Sequence, residues 1–263
     1  MSSVAQSRKR RKPSWFASAA LERGLTAGGC PVCSSLRQVA RRYIFSFLYE
    51  GMMSGSAREA FLKGGGFCRE HFWQAKAIEA ECWADGFGVA ILCENLLARS
   101  LDDVKQIPES GPGTKPALLG IPRRSSSQPA VFALLPGSSC TVCAVLEESE
   151  NHYLTVLEEL LQEADFAQRY QHSAGLCFYH LRDIAAKWQS PVALALVKST
   201  AARVVLQLLA ELREFQRKHD HQYRHEARGA ESTSAQRAIE FLVGPMAEVA
   251  GFADLVPTRR QGR

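Results

Sequence analysis

Six of the eight cysteines and two of the seven histidines fall into a pattern that occurs twice along the chain. The first copy is Cys30-Pro-Val-Cys33, a gap of 34 residues, then Cys68-Arg-Glu-His71. The second is Cys140-Thr-Val-Cys143, a gap of 33, then Cys177-Phe-Tyr-His180. Two thiols separated by two residues can turn both sulfurs toward one ion about 2.3 Å away, and a second such pair completes a tetrahedron. Three thiolates and one imidazole suit zinc, with an iron–sulfur cluster as the alternative. Four protein ligands leave no position open for water or substrate, so the zinc is expected to be structural and no catalytic residue is assigned. Ser34 and Ala144 follow the CxxC pairs where covalent haem attachment would need histidine, which excludes it.

Each copy is expected to enclose its own ion. Cys30, Cys33, Cys68 and His71 would make one site, and Cys140, Cys143, Cys177 and His180 the other. An ancestral single unit needs a complete site. A helix out, a short helix and a turn can bring the chain back within each gap. Closing that gap also costs about 1 kcal/mol less entropy than closing a loop of about 140 residues.

The elements that must position these ligands read as helices. Leu36, Val39, Tyr43, Phe47 and Leu48 fall at helical spacing and predict a helix over about 35–50. Leu146, Tyr153, Leu157 and Leu160 predict its counterpart. Short helices near 56–63 and 163–171 lead back to the CxxH turns, and each CxxH opens another helix, whose N-terminus favours a thiolate. Phe61 aligns with Tyr170, Gly66 with Gly175 and Phe67 with Leu176, so the likeness extends beyond the ligands. Asp85 is placed to cap a new helix in the first copy. Ser190 and Pro191 start one in the second. A last helix is predicted over about Ser232 to Val243, ending at Gly244-Pro245.

The fold class is therefore all-α: two related helical repeats, each with a CxxC knuckle and a CxxH helix start, packed on a shared core. Residues 1–27 are read as a basic, partly disordered tail and 28–107 as the first repeat. Residues 108–129 read as a Pro/Gly/Ser-rich linker, 130–250 as the second repeat with a short extended piece at "AVFALL", and 251–263 as a tail.

The formal charge of +5 sits at the ends. Residues 8–12 and 259–263 hold eight basic residues and no acid, which leaves the remaining body at −3. Such a tail suits weak, salt-dependent contact with nucleic acid; it is not a basic groove. The longest apolar stretch, "PVALALVKSTAARVVLQLLAEL", is interrupted by Lys198 and Arg203 and reads as too polar to span a bilayer. No targeting segment is visible, and patterned cysteines fit a reducing cytoplasm.

Other cysteines and histidines lie outside the repeated pattern. His219, Asp220, His221 and His225 lie in "KHDHQYRH", which reads as a polar helix end; on a helix His221 and His225 would share a face, and a further metal site is the alternative. Cys82 and Cys93 are read as core cysteines, with a redox pair as the alternative. His152 and His172 read as surface residues. Walker A, GxSxG and HExxH motifs are absent.

The paired units "CPVC…GFCREH" and "CTVC…GLCFYH", followed by "LREFQRKHDHQYRHE" and "QRAIEFLVG", resemble an uncharacterised prokaryotic family of duplicated CxxC/CxxH helical proteins, over roughly residues 28–244. The resemblance implies no established function. The expected function is a non-enzymatic, zinc-stabilised helical protein acting as an interaction or adaptor module on a protein partner. A thiol- or metal-responsive sensor using the Cys3His sites is the alternative, and non-specific nucleic-acid association through residues 8–12 a further one.

Overall fold

The computed structural model describes residues 14–83, 86–105 and 140–245. Among these residues there are ten α-helices and no strand. They are α1 (Trp15–Thr26), α2 (Pro31–Tyr49), α3 (Gly55–Lys63), α4 (Arg69–Cys82), α5 (Phe87–Lys105), α6 (Thr141–Leu160), α7 (Ala164–Gln171), α8 (Phe178–Lys187), α9 (Pro191–Arg217) and α10 (Ser234–Val243). Short 3-10 turns lie at Gly51–Met53 and Ala230–Thr233. The all-α reading holds, and the order long helix, short helix, CxxH helix, long helix occurs twice, as α2 to α5 and α6 to α9. The linker at 108–129, the extended piece "AVFALL", Asp85, the basic run 8–12 and the tail 251–263 lie outside the described residues. Residues 15–26, read from the sequence as tail, instead form α1, whose Leu21 is fully buried.

Polar side chains fix the helix starts. Ser190 accepts from the Ala193 N–H at 3.3 Å, with Pro191 at the first position of α9. Glu158 adds acceptance from the Gln189 and Ser190 N–H groups, both at 2.7 Å. Glu79 on α4 is buried, and it accepts from the Gly88 and Val89 N–H groups at 2.5 and 3.1 Å, at the open end of α5. A carboxylate at a helix N-terminus meets both unpaired donors and the positive end of the dipole, which makes its burial tolerable.

The chain divides into two compact units, and the division does not follow the repeats. Among the described residues, the first unit holds 14–39 and 147–245, and the second holds 40–83, 86–105 and 140–146. The boundaries fall inside α2 and α6. Each unit has its own core. Leu21, Val32, Leu157, Leu161, Phe166, Tyr170, Leu176 and Val197 lead the first. Ile44, Phe47, Phe61, Phe67, Ile78, Leu92 and Val142 lead the second. Full burial of each such side chain is worth about 1.5–3 kcal/mol. Both repeats contribute to both cores: Val32 packs with second-repeat residues, and Val142 with first-repeat residues.

Helix α9 is long and apolar enough, by length and a mean hydropathy of 1.6, to cross a bilayer, so Lys198 and Arg203 do not exclude that by composition. Its packing is that of an amphipathic helix. Ala193, Val197, Thr200, Val204 and Leu208 bury one face, and Arg203 donates to the Ser173 carbonyl at 2.5 Å.

The "KHD" segment follows the end of α9 and is not helical, so His221 and His225 do not share a helix face. Lys218 bonds the Ala227 carbonyl at 2.7 Å and Glu231 at 2.9 Å. His219 Nδ1 lies 2.7 Å from the Phe215 carbonyl, and Asp220 accepts from the Gln222 N–H at 3.0 Å. These bonds build a turn. The hydrogen bond from Lys218, then the Gly229 N–H, hold the Glu231 carboxyl down at about 2. A folded-state value below the ordinary one means that the stabilisation is complete above the ordinary value of 4.5 and is lost as pH falls from there toward 2. Glu231→Gln is therefore expected to lower stability at pH 7 and to flatten the acid limb over that window, read by denaturant unfolding at a series of pH values.

Candidate metal centres

The eight ligand candidates gather into two clusters, and the clusters exchange partners between the repeats. Cys30, Cys33, Cys177 and His180 meet in the first unit; Cys68, His71, Cys140 and Cys143 meet in the second. In each cluster the four ligand atoms lie within 4.8 Å of one another. His180 Nδ1 lies 3.3, 3.5 and 3.2 Å from the sulfurs of Cys30, Cys33 and Cys177. His71 Nδ1 lies 3.1, 3.5 and 3.4 Å from those of Cys68, Cys140 and Cys143. Cys33–Cys177 and Cys68–Cys143 are both 3.7 Å apart.

The expectation that each repeat encloses its own site is therefore wrong, and in both repeats the outgoing helix is about twice as long as the helix that returns. Beyond Cys33, α2 carries the chain on for about 24 Å, while the 9 residues of α3 return only about 13 Å. The 20 residues of α6 and the 8 of α7 leave a similar shortfall. Each CxxH meets the CxxC of the other repeat instead, an exchange of like elements within one chain. The loop-entropy preference of about 1 kcal/mol was too small to decide the pairing.

The distances suit one four-coordinate ion. A tetrahedron with sulfur at 2.3 Å and nitrogen at 2.0–2.1 Å has S···S edges of about 3.8 Å and S···N edges of about 3.5 Å. All eight cysteines are free thiols.

One local device makes every half-site. Cys68 is the N-cap of α4 and Cys177 the N-cap of α8. Cys30 and Cys140 stand just before α2 and α6, and their carbonyls accept from Ser34 at 3.0 Å and Ala144 at 3.1 Å. The second ligand of each pair is three residues on, where a capping box also turns a side chain back toward the cap. The two-residue spacing of CxxC and CxxH is thus the spacing of a helix start. Two helix N-termini then face each cluster with their positive ends, which favours thiolate.

Between themselves the four groups of each cluster share protons unevenly: hydrogen bonds to Cys177 and Cys30 push the Cys33 thiol up, and burial beside the Cys140 sulfur pushes Cys143 up to about 12. At Cys140 burial opposes ionisation, but the His71 contact and the backbone N–H groups of Cys68 and Cys143 outweigh it and lower the thiol to about 6. Hydrogen bonds from Cys30 and Cys33, with help from His180, push the Cys177 thiol down. Burial disfavours the His180 cation, yet contacts to Cys177, Cys30 and Glu150 raise its value to about 12. Glu150 Oε1 lies 3.1 Å from His180 Nε2. A carboxylate there fixes the tautomer and turns Nδ1 toward the sulfurs. Sequence reading missed Glu150: it is one acid among several in "LEESENHY", and Ala40 occupies the aligned position in the first repeat.

The glycine before each CxxH is needed. Gly66 and Gly175 have φ of +89° and +67°. A Cβ on Gly66 would also come within 2.7 Å of Leu96 Cδ1, whereas on Gly175 the tightest contact is 3.3 Å, to Thr200. Gly66→Ala is expected to cost the second unit about 1–3 kcal/mol, and more than Gly175→Ala costs the first. Thermal unfolding of the two variants checks this.

The other candidates do not join a cluster. Cys82 and Cys93 lie on different helices, the first exposed at the end of α4 and the second half-buried in α5, so neither is a core cysteine. His152 and His172 are exposed, as expected. His221 lies 2.9 Å from Asp220, but His219, Asp220, His221 and His225 form no metal-ligand cluster among the described residues.

The chain belongs to DUF6062, a family of unknown function, whose profile matches residues 22–249. No curated protein matches the chain, and no solved structure does.

Proposed function

We propose that each cluster holds one zinc ion as a structural centre, and that the protein is a non-enzymatic helical module that engages a protein partner. The observation that carries the reading is the closed Cys3His set in each unit, with four ligand atoms at tetrahedral spacing. Four protein ligands leave no position for substrate or activated water. An iron–sulfur cluster is the weaker fit. It places several irons and sulfides between the ligands and so spreads them further apart than S···S contacts of 3.7 Å. Free thiols at both sites suit a reducing compartment, and we place the protein in the cytoplasm.

The interaction role rests on apolar surface. Leu97, Leu101 and Val104 are exposed at i, i+4 and i+7 on α5. They continue from a groove of about 520 Å³ lined by Phe72, Trp73, Val89, Leu96 and Leu97. An apolar stripe left exposed among the described residues is the kind of surface a partner helix takes.

Elemental analysis of the purified chain tests the metal reading. About two zinc ions per chain are expected from two closed sites. Iron with visible absorption, or no metal at all, would overturn it.

A further inference from the structure

We propose that the two sites divide the work: the second is an oxidant-labile centre that reacts at Cys143 and releases its ion, while the first keeps its ion. This rests on the reading that both sites hold zinc, and it names the regulation of one of them.

The ligand sets are the same, so the difference must come from their surroundings. In the first site Cys30, Cys177 and His180 are buried and Cys33 is half-buried. The end of α10 covers Cys33: a Cβ on Gly244 would lie 3.6 Å from its sulfur. Behind the imidazole, the Glu150 carboxylate lies 3.1 Å from His180 Nε2. In the second site Cys143 is exposed and Cys68 half-buried. Ala40 stands at the aligned position of Glu150 and cannot bond His71. Among the described residues, the second unit has no helix corresponding to α10. Outer hydrogen bonds to a metal-bound histidine change metal affinity by about 10–100-fold, and oxidation of a thiolate follows its exposure.

The reaction needs only a peroxide. The Cys143 thiolate attacks one peroxide oxygen; an S–O bond forms, the O–O bond breaks and hydroxide leaves. The Cys68 thiolate, 3.7 Å away, then attacks the Cys143 sulfur and displaces a second hydroxide as the S–S bond forms. Two thiolates have lost two electrons and the peroxide has gained them. The ion keeps its charge but loses two of four donors, leaving Cys140 and His71. A thiol reductant reverses the step and restores the site.

The test titrates the full chain carrying two zinc ions with hydrogen peroxide, reads released zinc with a metallochromic indicator and maps cysteines by peptide mass. One ion should leave in a fast phase together with a Cys68–Cys143 cross-link. Cys30, Cys33 and Cys177 should stay reduced, and the second ion should leave about tenfold more slowly or worse. Cys143→Ser should hold one ion and lack the fast phase. Glu150→Gln should hasten the slow phase and leave the fast one unchanged, which a merely structural carboxylate would not do. Release of both ions in one phase, or a first cross-link through Cys33 or Cys177, would overturn the proposal. A chain that binds no zinc before peroxide is added would remove the structural-zinc reading beneath it, a distinguishable failure.

Discussion

Cys177→Ser is expected to empty the first site and to unfold much of the first unit while the second keeps its ion. Cys177 is buried at the N-cap of α8, and its sulfur contacts both Cys33 and His180. Serine keeps the cap but gives the metal a poor donor, and a structural zinc contributes its binding energy directly to folding. The loss should exceed about 3 kcal/mol, well beyond an ordinary surface change. Denaturant unfolding with parallel zinc analysis reads it: one ion per chain and a destabilised transition. Cys82→Ser is the control, since Cys82 is exposed and outside both clusters; it should change stability by less than about 0.5 kcal/mol. An unchanged midpoint for Cys177→Ser would mean that the site does not support the fold.

The second large effect concerns the repeats made separately. Residues 28–107 and 130–250 each contain one CxxC and one CxxH, and by sequence each looks self-sufficient. In the structure the two motifs of each segment serve different units. Neither segment as a monomer should bind zinc at the strength of the whole chain, and both should be largely unfolded, because each also lacks part of its core. Val142 and Cys140 would be missing from around Phe61 and Phe67, and Val32 and Cys30 from around Tyr170 and Leu176. Mixing the segments should restore about two ions per pair. Circular dichroism and metal content of each segment, alone and mixed, decide it. One tightly held ion on each monomeric segment would contradict the exchange.

Much of this was legible in residue spacing because helix geometry acts over short range. Periodicity placed the long helices to within a few residues, and the alignment of Phe61 with Tyr170 and Phe67 with Leu176 identified side chains that are all buried. All eight ligand candidates were visible, because the spacing that brings Cys68 and His71 together is set within one helical turn. The pairing was not visible. It depends on where a helix of 19 residues delivers the chain compared with a return helix of 9, and local pattern does not report that sum of vectors. Glu150 escaped for the same reason: its role exists only once α6 and α8 are side by side. α1 was hidden by the basic run before it, although Ala17, Ala20, Leu21 and Gly24 mark a buried face. The histidines near Lys218 misled in the other direction, since a helical reading was extended past the point where α9 stops.

Zinc content of two paired variants tests the central claim most directly, against a wild-type chain with two ions. Cys33→Ser with Cys177→Ser removes two ligands from one cluster in the exchanged arrangement but one from each site in the within-repeat arrangement. Cys33→Ser with Cys68→Ser does the reverse. The exchanged structure predicts about one ion retained by the first variant and none by the second, because a site missing one of its four ligands loses the closed tetrahedral shell. No ion on the first variant and one on the second would contradict it.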